Sequence, residues 1–278
     1  VSAPTVSVCI PAYQAGRHLA DTVRSVLGQT FGDFELVVLD NASTDETPDI
    51  LAAFDDPRLR VLRNEAVLPI ADNWNRAVAS STGRFVKVVC ADDLLHPDCL
   101  RRQYEVLATD PSIALVCARR DMINETGEVM APNRGLRGLI GRHEAGTVIR
   151  KVVRHGGNPL GEPGGGLFRR AQFDAVGGFD PRWKFPMDLA LWIGLLGHGD
   201  FFGQRESLAA FRIGRDSLSA RAQRAEYAEQ RALSEGLATD PGWHVRPLDR
   251  LVGAAMAPGA RLRRQALFLV AKRQGERN

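Results

Sequence analysis

The stretch at residues 7–29, SVCIPAYQAGRHLADTVRSVLGQ, decides the fold class. A short apolar run stops at Pro11. Leu19, Val23, Val26 and Leu27 then recur at the spacing of one helical face. A second apolar run at 34–39, FELVVL, follows and ends at Asp40. Strand, turn, helix, strand is how many nucleotide-binding domains open. The Gly-x-Gly-x-x-Gly run that would hold phosphates on backbone N–H groups is absent, and Pro11-Ala12-Tyr13 stands in its place.

Outward from this stretch, strands are predicted at 6–10, 34–39, 58–62, 85–90 and 112–118. Helices are predicted at 19–27 and 70–80, after a capping box at Ser43-Thr-Asp-Glu46, and from Pro97 onward. This alternation over residues 1–120 implies an α/β fold, a mostly parallel sheet flanked by helices on both faces. Beyond Arg119 the pattern changes. We expect a hairpin at 122–130 turning at 125–127, a mobile glycine- and arginine-rich loop at 134–146 and a helix at 148–154. A strand at 164–169, an amphipathic helix at 188–196 and a strand at 201–211 follow. Two further helices, at 220–237 and 260–273, flank a non-helical segment at 241–258.

The composition excludes several classes. A hydrophobic fraction of 44% and a charged fraction of 25% are those of an ordinary globular protein. A net charge of +3, with the basic residues dispersed, gives no nucleic-acid footprint. The 4 cysteines, at 9, 90, 99 and 117, have no metal or redox spacing. Cys9, Cys90 and Cys117 lie in strand-like runs and read as small buried residues in a reducing compartment. No leader-like segment starts at Val1, and no apolar run approaches the ~20 residues of a membrane span, so the expected location is cytoplasmic.

Ligands of an open parallel sheet bind beyond the carboxyl ends of the strands. Three such ends carry chemistry here: Pro11-Ala12-Tyr13, Asp40-Asn41 and Asp92-Asp93. Asp40 at the second strand end has the place of an acid that holds the ribose of a dinucleotide, but the missing phosphate loop speaks against that ligand. A flat base suits the set better: Tyr13 can stack on it and Asp40 can accept its N–H. Asp92 and Asp93 read either as a turn into the Pro97 helix or as paired oxygen ligands for Mg²⁺ or Mn²⁺ bridging a diphosphate.

The run from Val6 through "IPAYQAGRHLADTVRSVLGQTFGDFELVVLDNASTDET", with "NWNRAVASSTGRFVKVVCADD" and "GEPGGGLFRRAQFDAVGGFDPRWKFPMDLALWIGLL", resembles glycosyltransferase family 2, the inverting transferases of the GT-A fold. The resemblance covers about residues 5 to 220 with its motifs in order. It implies a GT-A domain at 1–220, with a nucleotide-binding half at 1–120 and an acceptor-binding half at 121–220, followed by a helical C-terminal extension at 221–278. It implies a nucleotide-diphosphate sugar donor, a UDP- or dTDP-sugar being favoured. Pro11, Ala12, Tyr13, Asp40 and Asn41 then match the base and ribose positions, Asp93 the metal ligand, and Asp92 a ribose or metal contact. Asn41 departs from the family's second acid and brings no charge. Asp188 matches the catalytic base, and Met187 replaces the Glu that usually precedes it; from spacing alone, Asp188 reads as a helix cap. Glu162 and Trp192 are candidate acceptor or sugar contacts. Gly214 stands where relatives often have a metal-binding His.

The acceptor is left open among saccharide, lipid-linked and small-molecule hydroxyls. Arg261, Arg263, Arg264, Lys272 and Arg273 surround apolar residues in the last predicted helix. Peripheral contact with an anionic membrane through that helix, or packing on its own domain with the basic face in water, are both consistent with such a pattern. The rival readings are a non-catalytic sugar-nucleotide-binding relative and a nucleotidyltransferase. The latter would need a basic glycine-rich loop after the first strand, where only Gly16 and Arg17 occur.

Overall fold

The computed structural model describes residues 3–214 and 224–259. Its centre is a mixed sheet, ten-stranded among the described residues. The first half is β1 (Val6–Ala12), β2 (Phe34–Asp40), β3 (Leu59–Arg63) and β4 (Phe85–Val88). They are parallel, in the order β3-β2-β1-β4. Every residue of β1, β2 and β4 is buried, as a strand covered on both faces requires. The connections are α1 (Leu19–Leu27), α2 (Thr47–Ala52) and α3 (Ile70–Ala79). Side-chain alternation along β1 divides the core. Val6, Val8, Ile10 and Ala12 pack with Leu19, Val23 and Val26 of α1, whereas Cys9 faces the opposite layer with Ala77 and Val78 of α3.

The second half is built on two long strands. After the two-residue β5 (Leu94–Leu95) and α4 (Cys99–Thr109) comes β6 (Ile113–Ile123), which runs parallel to β10 (Asp200–Arg212). Register shifts between Gln204 and Ala209 bend β10. Between β6 and β10 in the chain lie β7 (Val129–Arg134), β8 (Gly141–His143), α5 (Ala145–His155), β9 (Gly166–Arg169), α6 (Arg170–Ala175) and α7 (Met187–Leu196). β9 inserts antiparallel between β4 and β6 and so joins the two halves into one sheet. β6 pairs β9 along its first part and β7 along its second, and the β6–β7 hairpin turns at 124–127 as expected.

Three expectations are corrected. The segment at 134–146 is anchored rather than loose: Leu136 and Leu139 are fully buried, and β8 pairs with β10. α7 is not amphipathic, because it is covered on nearly all sides, with Met187, Leu189, Leu191, Trp192, Ile193, Leu195 and Leu196 all buried. The segment at 241–258 is largely helical, with a short 3₁₀ turn at Pro241–Trp243 and a helix over 247–259. α8 (Arg224–Thr239) seats Leu233 and Leu237 in the same core cluster as α5 and α7. The predicted basic helix at 260–273 lies outside the described residues. Among the described residues no helix is long and apolar enough to cross a membrane.

Candidate active site

The loops after β1 and β2 are laced to each other. Asn41 N–H donates to Ala12 O (2.8 Å), Gln14 N–H to Ser43 Oγ (2.9 Å), Ala15 N–H to Thr47 Oγ1 (2.9 Å) and Gly16 N–H to Asp45 Oδ2 (2.9 Å). Both loops turn through left-handed, non-glycine residues, Gln14 at φ 48° and Ala42 at φ 55°. The capping box at Ser43 is therefore not formed. Helix α2 begins later, at Thr47, and the Ser43 and Asp45 side chains are used to hold the first loop.

This lacing changes the role of Asp40. Its Oδ1 accepts from Ser43 N–H at 3.0 Å and its Oδ2 pairs with Arg63, and the residue is only 2% exposed. The carboxylate expected to receive a base N–H instead sets the loop from below. Asn41 is committed in the same way. Its amide donates to Leu68 O, and its Oδ1 accepts from Leu68 N–H and from Asn64 Nδ2. Pro11 and Ala12 are buried under this surface, and Tyr13 stands 53% exposed above it as the one aromatic ring offered at this strand end.

At the end of β4 the chain turns into an acidic cleft. Asp93 Oδ1 accepts from Arg212 N–H at 3.0 Å, and Arg212 Nε donates to Asp92 O at 2.9 Å. The carboxylates of Asp92 and Asp93 and the Cys90 thiol all lie within 4.8 Å of one another. Burial raises the pKa of the Asp92 carboxyl against the pull of His18 and Arg212. Burial, reinforced by the neighbouring Asp92 charge, pushes Asp93 well above the carboxylate range. The Cys90 thiol is pushed up by burial and by the charges of Asp93, Asp92, Asp188 and Glu162. Two neighbouring carboxylates offering hard oxygen donors fit Mg²⁺ or Mn²⁺, whose charge would favour their ionised form. The β6–β7 hairpin closes one side of the cleft: Glu125 pairs with His18 (2.9 Å) and Arg17 (3.1 Å), and Arg212 Nη1 donates to the backbone oxygens of Asn124 and Glu125.

Asp188 enters from the first turn of α7. Pro186 occupies the N-cap position, so Asp188 is not the cap. Its Oδ2 accepts from Asn158 Nδ2 at 2.9 Å and its Oδ1 from Leu189 N–H at 2.7 Å. Asn158 also binds the strap before β9: its Nδ2 donates to Gly161 O, and its Oδ1 accepts from Leu160 and Gly161 N–H. Glu162 follows directly and pairs with Arg120 of β6. Trp192 is corrected. It is fully buried, its indole N–H donates to Gly161 O at 3.1 Å, and its ring lies against Gly166, so it supports the strap and offers no surface to a sugar. Met187 turns into the core. In place of a metal-binding side chain at 214, the Glu125 carboxylate lies beside Gly214.

Sequence reading missed Cys90 as a member of the cleft, and also Arg120, Glu125, Asn158 and Arg212. The available signal for Cys90 was its place two residues before Asp92. The others carry no local signal, because each reaches the site from a distant segment.

The comparisons with known proteins agree with this geometry. The chain is 32% identical over 205 residues to the uncharacterized protein MT1568 of Mycobacterium tuberculosis, covering 69% of this chain and 62% of the relative. It is 30% identical over 132 residues to the UDP-Glc:alpha-D-GlcNAc-diphosphoundecaprenol beta-1,3-glucosyltransferase WfgD of Escherichia coli, covering 46% of this chain and 52% of that protein. It thus spans little more than half the length of these two relatives. Among solved structures, S. aureus TarS 1–349 in complex with UDP-GlcNAc superposes with a TM-score of 0.67 at 16% identity, covering 91% of this chain and 71% of that one. The sheet and its helices are those of the GT-A fold. The family model described as glycosyl transferase family 2 matches residues 7–177, more than half of the sequence, and this chain belongs to that family.

Proposed function

We propose that the chain is an inverting glycosyltransferase, moving a sugar from a nucleotide-diphosphate donor to an acceptor hydroxyl by single displacement. The observation that carries this reading is the side-by-side placement of Asp92 and Asp93 against the strap at 161–165, which Asn158 ties to Asp188, with an exposed aromatic ring at the end of β1, the strand paired with β4. Asp188 takes the proton of the acceptor hydroxyl as that oxygen attacks the anomeric carbon and the bond to the diphosphate breaks. An α-linked donor then yields a β-linked product. Asn158 holds one oxygen of Asp188 and fixes its direction, so the base is oriented before substrate arrives. Asp93, with Asp92 beside it, would hold Mg²⁺ or Mn²⁺ against the diphosphate, and the chemistry such a cation supplies when bound is neutralisation of the leaving group.

The donor half is residues 1–120, the acceptor half 121–220, and 221–278 the extension. A UDP- or dTDP-sugar is favoured. With Asp40 turned inward, the support for a pyrimidine is stacking on Tyr13 and the uridine nucleotides in the names of WfgD and the TarS complex. Competition binding with Mn²⁺ present tests this: uridine or thymidine diphosphate should displace a labelled ligand at lower concentration than guanosine diphosphate, and a clear guanosine preference refutes it. Slow hydrolysis of the preferred nucleotide sugar should accompany binding. Binding without hydrolysis or transfer would identify a non-catalytic sugar-nucleotide binder instead.

A further inference from the structure

Resting on the donor reading above, we propose that Glu162 is a second working carboxylate of the cleft, accepting a hydrogen bond from a hydroxyl of the sugar being transferred, and that Arg120 is the positioning residue that aims it. Three observations converge on this residue.

The first is place. The next residue but one after Glu162, Gly164, lies beside Asp93 Oδ2. On its other side Gly161 is tied through Asn158 to Asp188. Glu162 therefore stands between the diphosphate end of the cleft and the base. A sugar ring with its anomeric carbon between leaving group and base has to occupy that space.

The second is how firmly the strap is held. Before Glu162, Gly161 is gripped by Asn158 and by the Trp192 indole. After it, Gln103 Nε2 donates to Gly165 O at 2.7 Å, and the fully buried Lys87 Nζ donates to Gly166 O at 2.9 Å. Lys87 Nζ also donates to Gln103 Oε1 and meets no carboxylate among the described residues, and a fully buried ammonium is a costly way to hold a backbone oxygen. It is the kind of support expected under a side chain whose position matters.

The third is the side chain itself. Arg120 pairs with Glu162 through Nε and through Nη2, which lies 3.1 Å from Oε1. Its guanidinium lies against two glycines in left-handed conformation, Gly135 (φ 87°) and Gly161 (φ 105°). A Cβ at Gly161 would come 2.9 Å from Arg120 Nη1, so glycine is required for the arginine to lie there. Glu162 thus has one fixed direction. It also supplies a carboxylate near the base in a chain where position 187 carries a buried methionine.

The test uses the purified protein with Mn²⁺ and calorimetric affinities for UDP, UDP-glucose and UDP-N-acetylglucosamine. The readout is the ratio of the UDP affinity to that of each nucleotide sugar. In Glu162→Gln the sugar's contribution should fall about tenfold for at least one sugar, the size expected for a hydrogen bond to a charged group. The UDP affinity should stay within about twofold. Glu162→Asp and Arg120→Lys, which keep the charges but change the reach, should fall in between. A purely structural cross-link would move UDP and nucleotide-sugar affinities together. An unchanged ratio for both sugars in Glu162→Gln, or a parallel loss of all three affinities in every variant, would overturn the proposal. Wild-type protein that binds neither UDP nor either sugar nucleotide would overturn the donor reading itself, and this inference with it.

Discussion

Replacement of Asp188 by Asn separates catalysis from binding more sharply than any other change in this cleft. The substitution keeps the size of the side chain and removes its charge and one acceptor. Asp188 accepts two hydrogen bonds, from Asn158 Nδ2 at 2.9 Å and from Leu189 N–H at 2.7 Å. An asparagine has one acceptor oxygen, so one of those donors loses its partner, at about 1–2 kcal/mol of stability. In a domain of this size that lowers the melting temperature by only a few degrees, roughly 2–4 °C per kcal/mol, and the variant stays folded at assay temperature. The effect on turnover is larger. Loss of a general base removes about 10²–10⁴-fold, or roughly 2.7–5.5 kcal/mol of barrier stabilisation. On the proposed reading donor binding rests on Tyr13, Asp92, Asp93 and the strap, and should change by less than about threefold. The assay is calorimetric titration with the preferred nucleotide sugar, run beside steady-state transfer or donor hydrolysis on the same preparation. Turnover within about tenfold of wild type, with donor affinity intact, would remove Asp188 from the mechanism and return it to a purely local role at the start of α7.

Other outcomes follow from the same coordinates. Tyr13→Ala should weaken UDP binding about tenfold through loss of base stacking while leaving the melting temperature unchanged, because the ring is half exposed; Tyr13→Phe should bind as wild type, and equal affinities for all three proteins would refute the stacking role. Mn²⁺ followed by electron paramagnetic resonance should bind weakly to the nucleotide-free protein and far more tightly with uridine diphosphate, since two carboxylates alone make an incomplete cation shell; tight Mn²⁺ binding without nucleotide, or full metal-dependent activity in Asp93→Ala, would contradict the assignment. Burial works to raise the Glu35 carboxyl, but hydrogen bonds from Thr82 N–H, the Ser7 and Thr82 hydroxyls and Arg60 bring it below its ordinary value. Its stabilisation is therefore present above the ordinary glutamate range, about pH 4.3, and is lost as pH falls through the lowered value. Glu35→Gln should cost about 1–3 kcal/mol near neutral pH, and the cost should shrink as pH falls through the lowered value; a cost independent of pH would show that charge is not involved.

The parallel half of the fold was legible because three of its strands, β1, β2 and β4, are buried on both faces and therefore written as largely apolar runs. The observed β1, β2, β3 and α3 differ from the reading by only a residue or two at their ends. The second half was harder for an equally physical reason. Its short edge strands, β5 and β8, have two and three residues and gain their pairing from β10, far away in the chain. The segment at 134–146 carries the glycines and arginines of a loop, yet Leu136 and Leu139 alone are enough to pin it. The apolar periodicity of α7 promised one buried face, but α7 packs beneath the sheet with neighbours on nearly every side, and periodicity cannot report how many sides are covered.

The site divides along a different line. Residue type and place at a strand end singled out Asp40, Asp92 and Asp93, and the family resemblance singled out Asp188, but type does not say whether a carboxylate's lone pairs are already taken. That is decided by partners far along the chain: Arg63 lies 23 residues from Asp40, Asn158 lies 30 from Asp188, Arg120 lies 42 from Glu162, and Arg212 lies 119 from Asp93. Once those partners are known, the acids sort themselves by role. Asp40 is compensated by a guanidinium and an N–H group and holds a loop. Asp93 is buried and Asp92 half-buried, with the backbone N–H of Arg212 on Asp93 and the charges of His18 and Arg212 acting on Asp92, while Asn158 holds Asp188 and Arg120 holds Glu162. On the proposed reading the neighbouring Asp92 and Asp93 are where a cation would find its ligands, and Glu162, aimed by Arg120, is where a sugar hydroxyl would find an acceptor, so the partners each acid has, rather than the presence of an acid, separate their roles.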